Sequence, residues 1–533
     1  MRTRHRLLSA LVVLGVVASA CGGDDDDTAT TEPPAQGTDA PEPGTTEPAG
    51  SEAPGTTPAV EGGAITIALG SEPTSLDPHI VDDGGERAIN DNIYETLLAR
   101  TPEGDLVPGL ATEEPTLIDD TTWEFKLREG VTFHDGSTFD ADDVVATVER
   151  MIGLIEAEGT DNAGFYDTLT GATAIDEYTV QITTEGPDGV LPARMYWLKI
   201  VSADDAAKED LSAAPNGTGP YQFVSRETGV SIELAAYPDY WGDAPSITTV
   251  DYAFVTEGGT RLAGLKSGQY DLITNLPPND VAQAPQSAVI QGQENPIIIL
   301  DADEGITADA NVRRALNLAL DKQAIADVVY GGYAVMVNGQ LLSPSILGHN
   351  ESIEAYPYDP DQAKQLLEEA GVAGQTITLV GESSGRWLND RELVEAVASY
   401  WTEAGLKVDL QTPEFGAYLD VLFDRENRAD AIFVSSSNDL LDPSRQLNTY
   451  YSLDGVGSSN TNAELQALVA DGQSTLDADE RETIYEQAVQ IAYDEAYFAF
   501  LVSNQDLYGL SERVEWTPRV DSKLLVKEMS VTG

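Results

Sequence analysis

The sequence is poor in the residues that most often carry catalytic and metal chemistry. Its 533 residues include one cysteine, Cys21, which excludes an intramolecular disulfide, a cysteine-rich zinc site and an iron–sulfur cluster. The four histidines, His5, His79, His134 and His349, leave little material for metal sites or general-base catalysis. We therefore expect neither a resident metal nor another cofactor.

Basic residues are also scarce, because 29 Lys and Arg stand against 91 Asp and Glu, which gives a formal net charge of -62. Binding to nucleic acid depends on clustered cations that release counterions from the phosphate backbone. The charge balance therefore excludes a nucleic-acid partner. With 41% hydrophobic residues, the chain can still bury a substantial core, and its length predicts two to four domains of about 150 residues each.

Long apolar runs are absent except near the N-terminus. Residues 1–20 have basic residues at the start, an apolar run over 7–18 and small residues before Cys21, which is the pattern of an export signal. The run is shorter than the about 20 residues that a membrane span needs. The motif VASAC resembles a bacterial lipobox, which implies cleavage before Cys21 and lipid on this cysteine. The alternative is a cysteine that follows an ordinary cleavage site by chance.

Residues 21–61 consist mainly of Asp, Glu, Thr, Pro, Ala and Gly. Such a segment buries little apolar area, so we predict a lipid anchor followed by a disordered acidic tether. The aspartate run at 24–27 could hold calcium. Without a loop glycine at ligand spacing, however, the run is more typical of solvated charge.

The rest of the chain has the pattern of a mixed α/β protein. Residues 64–69 predict a strand, and apolar residues at helical spacing predict a helix that includes 89–100. The alternating segment 122–127 predicts a half-buried strand, and a turn follows at 134–136.

A group of acidic residues follows that turn. Asp140 is well placed to cap a helix that begins after it, because carboxylates are favoured at a helix N-terminus. The alternative is a metal site formed by His134, Asp135, Asp140, Asp142 and Asp143. We favour capping and turn formation, since each of these residues already has a local structural reason.

Residues 376–435 predict an open sheet in which strands alternate with helices, and this order implies parallel strands. The predicted elements are strand 376–381, helix 390–404, strand 406–410, a short helix near 418–423 and strand 431–435. Ligands of such sheets gather at the carboxyl ends of the strands. Two loops leave those ends, ESSGRW (382–387) and SSNDLLDP (436–443).

Seven segments after the tether form a combined pattern in a fixed order. They are IYETLLARTPEGDLVPGLA, TWEFKLREGVTFHDGSTFDADDVVATVERM, GTGPYQF, YPDYWGDAP, VRRALNLALDKQAIADVVYGGYA, AKQLLEEAG and YWTEAGLKV. Together they resemble the extracellular solute-binding family 5, the peptide-binding components of bacterial ABC importers. The resemblance covers nearly everything after the tether.

The resemblance implies an α/β, periplasmic-binding-protein-like bilobal fold of type II, cluster C, with an extra small inserted domain. We predict that lobe I comprises residues 62–102, 200–295 and 497–533. The inserted domain is predicted over 103–199, and lobe III over 296–496.

The resemblance also implies the ligand contacts. In peptide binders of this family, an aspartate four residues before a proline takes the ligand's amino group, and that position here is Asp439, before Pro443. In dipeptide binders, an arginine after the preceding strand takes the carboxylate, and that position aligns with Arg386, whose planar guanidinium suits the task. Trp387 either lines the pocket or packs in the core. Alternatively, Asp439 only caps a turn and Arg386 only pairs with a surface carboxylate.

Two departures from the family pattern put an ordinary dipeptide ligand in doubt. Peptide binders usually have a tryptophan or another aromatic residue before the aspartate, whereas this chain has Ser435, Ser436 and Ser437. Near the predicted hinge, Asp301 stands where the family commonly has asparagine.

We therefore predict that the protein is not an enzyme but a monomeric substrate-binding lipoprotein on the outer face of the cytoplasmic membrane. It would capture a peptide-like solute and deliver it to an ABC permease with separate ATPase subunits, since the chain lacks a phosphate-binding glycine loop followed by Lys-Ser/Thr. Alternative ligands are a nickel chelate or an oligosaccharide that stacks on Trp387 and Trp241. Less expected alternatives are an extracellular hydrolase and a surface scaffold or chaperone.

Overall fold

A computed structural model of the protein describes residues 63–81, 84–160, 162–383, 386–425 and 428–532. The predicted export signal, Cys21 and the acidic tether lie outside these residues. Within the described ranges, no helix combines the length and the apolar composition that crossing a membrane requires.

Strands and short helices alternate along the described chain. The strands are β1 (Gly63–Leu69), β2 (Leu98–Arg100), β3 (Leu106–Pro108), β4 (Thr116–Asp119), β5 (Thr122–Lys126), β6 (Leu169–Asp176), β7 (Thr179–Thr184), β8 (Tyr221–Glu227), β9 (Ser231–Ala236), β10 (Ile247–Phe254), β11 (Leu272–Ile273), β12 (Gln286–Gln291), β13 (Asn295–Leu300), β14 (Ala334–Met336), β15 (Thr376–Val380), β16 (Lys407–Gln411), β17 (Ala431–Ser436), β18 (Phe498–Phe500), β19 (Val502–Leu510), β20 (Val514–Glu515) and β21 (Ser530–Val531). The helices are α1 (Gly84–Ile93), α2 (Ala141–Glu156), α3 (Ala163–Tyr166), α4 (Leu191–Met195), α5 (Ala203–Ala206), α6 (Gly258–Ser267), α7 (Ala310–Leu318), α8 (Lys322–Val329), α9 (Pro360–Glu369), α10 (Asp390–Glu403), α11 (Phe415–Phe423), α12 (Pro443–Tyr450), α13 (Ala463–Ser474) and α14 (Ala478–Asp494).

The largest sheet has eight strands, in the order β12-β19-β11-β1-β10-β9-β8, with β14 also paired to β19. Strand β1 runs parallel to both of its neighbours, β10 and β11. Its side chains Ile65, Ile67 and Ala68 are fully buried, as expected for a central parallel strand with a near-continuous apolar run. We call the part of the protein built around this sheet, including helices α1 and α6, the first lobe.

The second sheet has five strands, in the order β16-β15-β17-β13-β18. Strand β15 is parallel to β16 and to β17, which confirms the parallel arrangement predicted for residues 376–435. Helix α10 buries Leu393, Val397 and Trp401 at the predicted helical spacing. We call the part built around this sheet, including helices α10, α11 and α12, the second lobe.

A four-stranded antiparallel sheet, β4-β5-β7-β6, lies in the sequence between β1 and β8 of the first lobe and has its own apolar core with helix α2. The predicted cap of α2 is confirmed: the Asp140 side chain accepts from the Asp142 N–H (2.9 Å), and the Asp143 side chain accepts from the Asp140 N–H (2.9 Å). Asp135 likewise accepts from the Ser137 N–H within its turn. Three of the acids considered for a metal site are therefore engaged in capping and turn bonds.

The helix predicted through 89–100 is wrong in its second half. Helix α1 ends at Ile93, whose carbonyl oxygen accepts a hydrogen bond from the Gly219 N–H (2.8 Å) instead of continuing the helix. Leu97 and Leu98 are buried in the core of the four-stranded sheet, and Leu98 begins β2. A Cβ atom on Gly217 would lie 2.0 Å from the same carbonyl oxygen, so the GTGPY segment needs glycine there for close backbone packing.

Two short segments connect neighbouring strands of the two large sheets, in addition to the longer connections that lead into and out of β14. Residues 292–294 connect β12 of the eight-stranded sheet to β13 of the five-stranded sheet, and Leu501 separates β18 from β19. These crossings are where a hinge between the lobes would lie. The exact lobe and domain boundaries derived from the sequence stay a prediction.

Candidate functional site

A cavity of about 380 Å³ lies between the first and the second lobe. It is lined by the ends of β1, β17 and α1 and by the crossing segment that precedes β13. Its charged lining comes from both lobes and from the crossing segment. The charges are Arg87, Asp506, Asp521 and Lys523 in the first lobe, Glu294 in the crossing segment, and Arg386 and Asp439 in the second lobe.

Asp439 lies in the loop between β17 and α12, at the carboxyl end of a central strand. The cap of α12 is Asp442, whose side chain accepts from the Ser444 N–H (3.0 Å), so the Asp439 carboxylate does not serve as that cap. Instead, its Oδ2 lies 3.0 Å from a guanidinium nitrogen of Arg87 in the first lobe, and it accepts from the Ser437 hydroxyl (3.3 Å). Burial by itself would raise the pKa of the Asp439 carboxyl, but Arg87 and Arg445 outweigh it and hold the pKa below its ordinary value.

Arg386 and Trp387 follow β15, which is the parallel neighbour of β17. The guanidinium of the exposed Arg386 lies over the Phe415 ring, 4.8 Å from the ring centroid, and its backbone N–H donates to Glu382 (2.7 Å). Trp387 is half-buried and meets the Phe433 ring edge-to-face, with 5.5 Å between ring centroids. It thus packs on the core and lines the cavity at the same time. The three residues singled out in the sequence therefore border one cavity.

Sequence reasoning missed the charged residues that other parts of the chain bring to this cavity. Glu294 is half-buried, and burial together with Asp506 and Asp439 raises the pKa of its carboxyl to about 7. Burial and Asp439 also raise the pKa of Asp506, whose carboxylate accepts from the Ser522 hydroxyl. Basic residues are scarce in this chain, and this scarcity is a signal that could have pointed to Arg87. Nothing local in the sequence distinguished Glu294 or Asp506 from the many other acids.

The serines that replace the usual aromatic residue form a polar network beside the cavity. Ser435 donates to Glu294 (3.3 Å), and Ser436 accepts from the Gln446 side chain (3.0 Å). The wall next to Asp439 is therefore small and polar, as the sequence predicts. Asp301 accepts from the Asp303 N–H (3.0 Å) and so stabilises a local turn away from the cavity.

The aromatic pair considered for sugar stacking is not brought together. The Trp241 indole nitrogen donates to Glu95 (2.7 Å), and its ring lies under Arg128, 4.6 Å from the guanidinium carbon. Among the described residues, those that line the cavity include Trp387 but not Trp241. A sugar bound in this cavity would thus have Trp387, but not Trp241, as a surface on which to stack.

We expect Glu294→Gln to change how stability depends on pH. The Glu294 carboxyl has a pKa of about 7 in the folded protein and of about 4.5 in the unfolded chain. Between these two pH values, the folded protein keeps a proton that the unfolded chain has lost. The protonated carboxyl therefore stabilises the fold at low pH, and this contribution is lost as the pH rises through about 7. Glutamine mimics the protonated form at every pH. The variant should match the wild type at pH 4.5 and exceed its free energy of unfolding by about 2 kcal/mol at pH 8, allowing for solvent in the cavity.

Urea denaturation at the two pH values measures this difference. Glu227→Gln is the matched control, because Glu227 is an exposed carboxylate on β8 outside the cavity. An advantage of Glu294→Gln that is the same at both pH values would contradict the assignment of a buried, repelled carboxyl at this position.

The chain is similar in sequence to bacterial solute-binding proteins. The sequence profile of the bacterial extracellular solute-binding proteins, family 5 Middle, matches residues 105–458. The chain is 28% identical to heme-binding protein A of Haemophilus influenzae over 489 residues, covering 83% of this chain and 87% of that protein. It is 30% identical to di/tripeptide-binding protein 1 of Pseudomonas aeruginosa over 431 residues, covering 72% of this chain and 78% of the relative.

Solved structures agree with the fold. The periplasmic binding protein DppA of Helicobacter pylori, in complex with the peptide STSA, superposes with a TM-score of 0.72 at 26% identity, over 89% of this chain and 98% of that one. NikA of Brucella suis superposes with a TM-score of 0.79 over 88% of this chain and 100% of that one. Its sequence identity is only 20%, so this likeness supports the fold and not a shared ligand. These likenesses confirm the predicted periplasmic-binding-protein-like α/β fold.

Proposed function

The chain belongs to the bacterial extracellular solute-binding proteins of family 5, and on that premise we propose that it binds a peptide-like solute between its two lobes. It then delivers this solute to the membrane permease of an ABC importer, whose ATPase subunits are separate chains. The protein itself binds and presents its ligand and makes or breaks no covalent bond.

The observation that carries this proposal is the pairing of opposite charges on one cavity. A peptide-like zwitterion needs an anion for its amino group and a cation for its carboxylate, both shielded from bulk water. Asp439 and Arg386 lie at the carboxyl ends of two parallel strands and line the same cavity. We assign Asp439 to the ligand's amino group, Arg386 to its carboxylate and Trp387 to the apolar wall between them.

The names of the relatives support a peptide-like ligand. Di/tripeptide-binding and dipeptide-binding proteins recur among them, and the solved DppA holds a peptide. Heme-binding protein A and NikA with Fe(III)-EDTA show that other proteins with this fold take heme or metal chelates. The ligand classes to compare are therefore peptides, chelates and oligosaccharides.

Closure of the lobes couples binding to delivery. A ligand that contacts both lobes favours the closed arrangement by its differential affinity for the closed and the open form. Hinge motion of this kind changes the surface that the protein presents to a partner. We propose that the permease recognises the closed, loaded shape.

A thermal-shift screen of the purified protein tests the ligand class. The probes are di- to pentapeptides, oligosaccharides and nickel chelates, because a ligand at 100 times its Kd should stabilise the fold by about 2.7 kcal/mol. We expect stabilisation by peptides. Stabilisation by sugars or chelates alone would retain the importer role and reject Asp439 and Arg386 as contacts for a zwitterion.

We further propose that the protein is a monomer anchored by lipid on Cys21 to the outer face of the cytoplasmic membrane. The support is the lipobox-like motif VASAC at the end of the export signal. We expect Cys21→Ser to move the protein from the membrane fraction to the soluble fraction of cells. Membrane association that survives this substitution would argue against the lipid anchor.

A further inference from the structure

An ion pair bridges the two lobes at the cavity. Arg87 extends from α1 of the first lobe, and its guanidinium nitrogen lies 3.0 Å from Oδ2 of Asp439 in the second lobe. The two side chains are 22% and 23% exposed, so the pair is largely but not fully shielded from solvent. The Arg87 guanidinium carbon also lies 5.3 Å from the centroid of the Trp197 ring, which positions the side chain beside the cavity.

This pair occupies the carboxylate that we assign to the ligand's amino group. A guanidinium and an ammonium compete for the same carboxylate, since both are cations that donate charge-assisted hydrogen bonds to its oxygens. Arg87 of the first lobe thus lies where the amino terminus of a bound peptide would lie. An incoming ammonium has to displace Arg87 from Asp439 or share the carboxylate with it.

We propose that Arg87 is a specificity-determining residue that competes with the ligand's amino group for Asp439 and holds the lobes together when no ligand is bound. The inference rests on the proposed function, because it concerns the amino-group contact of that same site. Exchange of one cation for another gains little electrostatic free energy. The protein therefore discriminates weakly between peptides with free and with blocked amino termini.

Contacts other than the Arg87 pair hold the segment that follows Asp439 in place. Arg100 donates to the carbonyl oxygens of Leu440 (3.0 Å) and Leu441 (3.3 Å), and the Leu440 side chain is buried in the core of the four-stranded sheet. These contacts fix the position of the segment that follows Asp439, whereas the Arg87 side chain lines the cavity. Removing the guanidinium should leave the native packing in place.

The test compares tri-alanine with N-acetyl-tri-alanine by isothermal titration calorimetry. We expect the wild type to bind the two probes within about threefold of each other, and Arg87→Gln to bind tri-alanine about tenfold more tightly with little change for the acetylated probe. Arg226→Gln is the matched control: it removes a pair with Glu72 (2.6 Å) in which both partners are 22% exposed, but which lies within the first lobe. The control should leave both affinities unchanged.

A second measurement needs no ligand. Spin labels on Lys266→Cys in α6 and Glu403→Cys in α10 report the distance between the lobes in the ligand-free protein, since both residues are exposed. We expect Arg87→Gln to lengthen or broaden this distance distribution, while Arg226→Gln leaves it as in the wild type. Binding of neither probe to any form of the protein would refute the peptide ligand, and the distance measurement would then still decide the role of Arg87. The proposal is overturned by an affinity ratio and a distance distribution that Arg87→Gln leaves unchanged.

Discussion

Asp439→Asn is expected to weaken binding of a zwitterionic peptide by well over tenfold while the protein remains folded. Truncating one partner of a buried charge pair costs about 2–5 kcal/mol, because the other charge is left without compensation. In the complex of the variant, the ligand's ammonium and the Arg87 guanidinium would lie close together with no carboxylate between them, so the two cations would repel each other. Asparagine keeps the volume of the side chain, so the loss measures the charge. Isothermal titration with the best peptide from the screen provides the affinity.

Arg386→Ala is expected to have an effect of similar size at the other end of the ligand. Arg386→Lys should recover part of the affinity, since a lysine keeps the charge but not the planar pair of donors that grips a carboxylate. Asp409→Asn is the control, because Asp409 is an exposed carboxylate on β16 of the same lobe. If Asp439→Asn and Arg386→Ala both bind the peptide as the wild type does, the assignment of these residues as zwitterion contacts is refuted.

Arg150→Met is expected to produce the largest loss of stability. Arg150 on α2 donates to both carboxylate oxygens of Asp77, at 3.2 and 2.6 Å, and to Nδ1 of His79 at 2.7 Å. The paired side chains are 5% and 0% exposed, so the pair joins α2 to the loop after β1 in a dry environment. Methionine fills similar space but leaves the Asp77 charge buried without a cation. We expect the free energy of unfolding to fall by about 3–5 kcal/mol.

The pH dependence distinguishes lost charge from lost packing at this cluster. Burial and Arg150 lower the pKa of His79 from its ordinary value of 6.5 to about 4. Between pH 6.5 and 4, His79 of the wild type therefore binds a proton in the unfolded chain but not in the folded protein. This site therefore reduces the stability of the wild type as the pH falls through that window. In Arg150→Met the cation is gone, and a protonated His79 would compensate Asp77, so the loss on acidification should be smaller.

Urea denaturation between pH 4 and 7 provides these stabilities. Arg391→Met is the control, because it removes an exposed pair with Glu395 on α10 and should change stability by no more than about 0.5 kcal/mol. The double substitution Asp77→Asn with Arg150→Met should recover part of the loss. A cost for Arg150→Met as small as that of the control would contradict the view that this pair is buried and interdependent.

Local patterns determined much of the second lobe and the cap of α2. The alternation of strands and helices over 376–435 fixed parallel strands, because a crossover helix returns the chain to the same edge of the sheet. Parallel order, in turn, put the loops that contain Arg386 and Asp439 at one edge. The Asp140 cap likewise follows from interactions within a few residues, which a sequence displays directly.

The failure at α1 shows where local patterns are insufficient. Apolar residues at helical spacing continue to Leu98, yet the helix ends at Ile93, because the Ile93 carbonyl bonds to Gly219 from a distant part of the chain. A turn followed by a short strand can bury the same apolar residues against the core of the four-stranded sheet. Periodicity records which residues are buried, but it does not record which neighbour buries them.

The sequence by itself determined the family, the alternating architecture and the two charges at the carboxyl ends of β15 and β17. Only the tertiary structure decided that Arg87 pairs with Asp439 and that Glu294 and Asp506 share their cavity. These residues come from segments that are far apart in the sequence and that only the folded chain brings together. In a chain with 91 acids and 29 basic residues, the sequence offers many charge pairs of equal plausibility. Distance and burial, which only the fold supplies, select the pairs that interact.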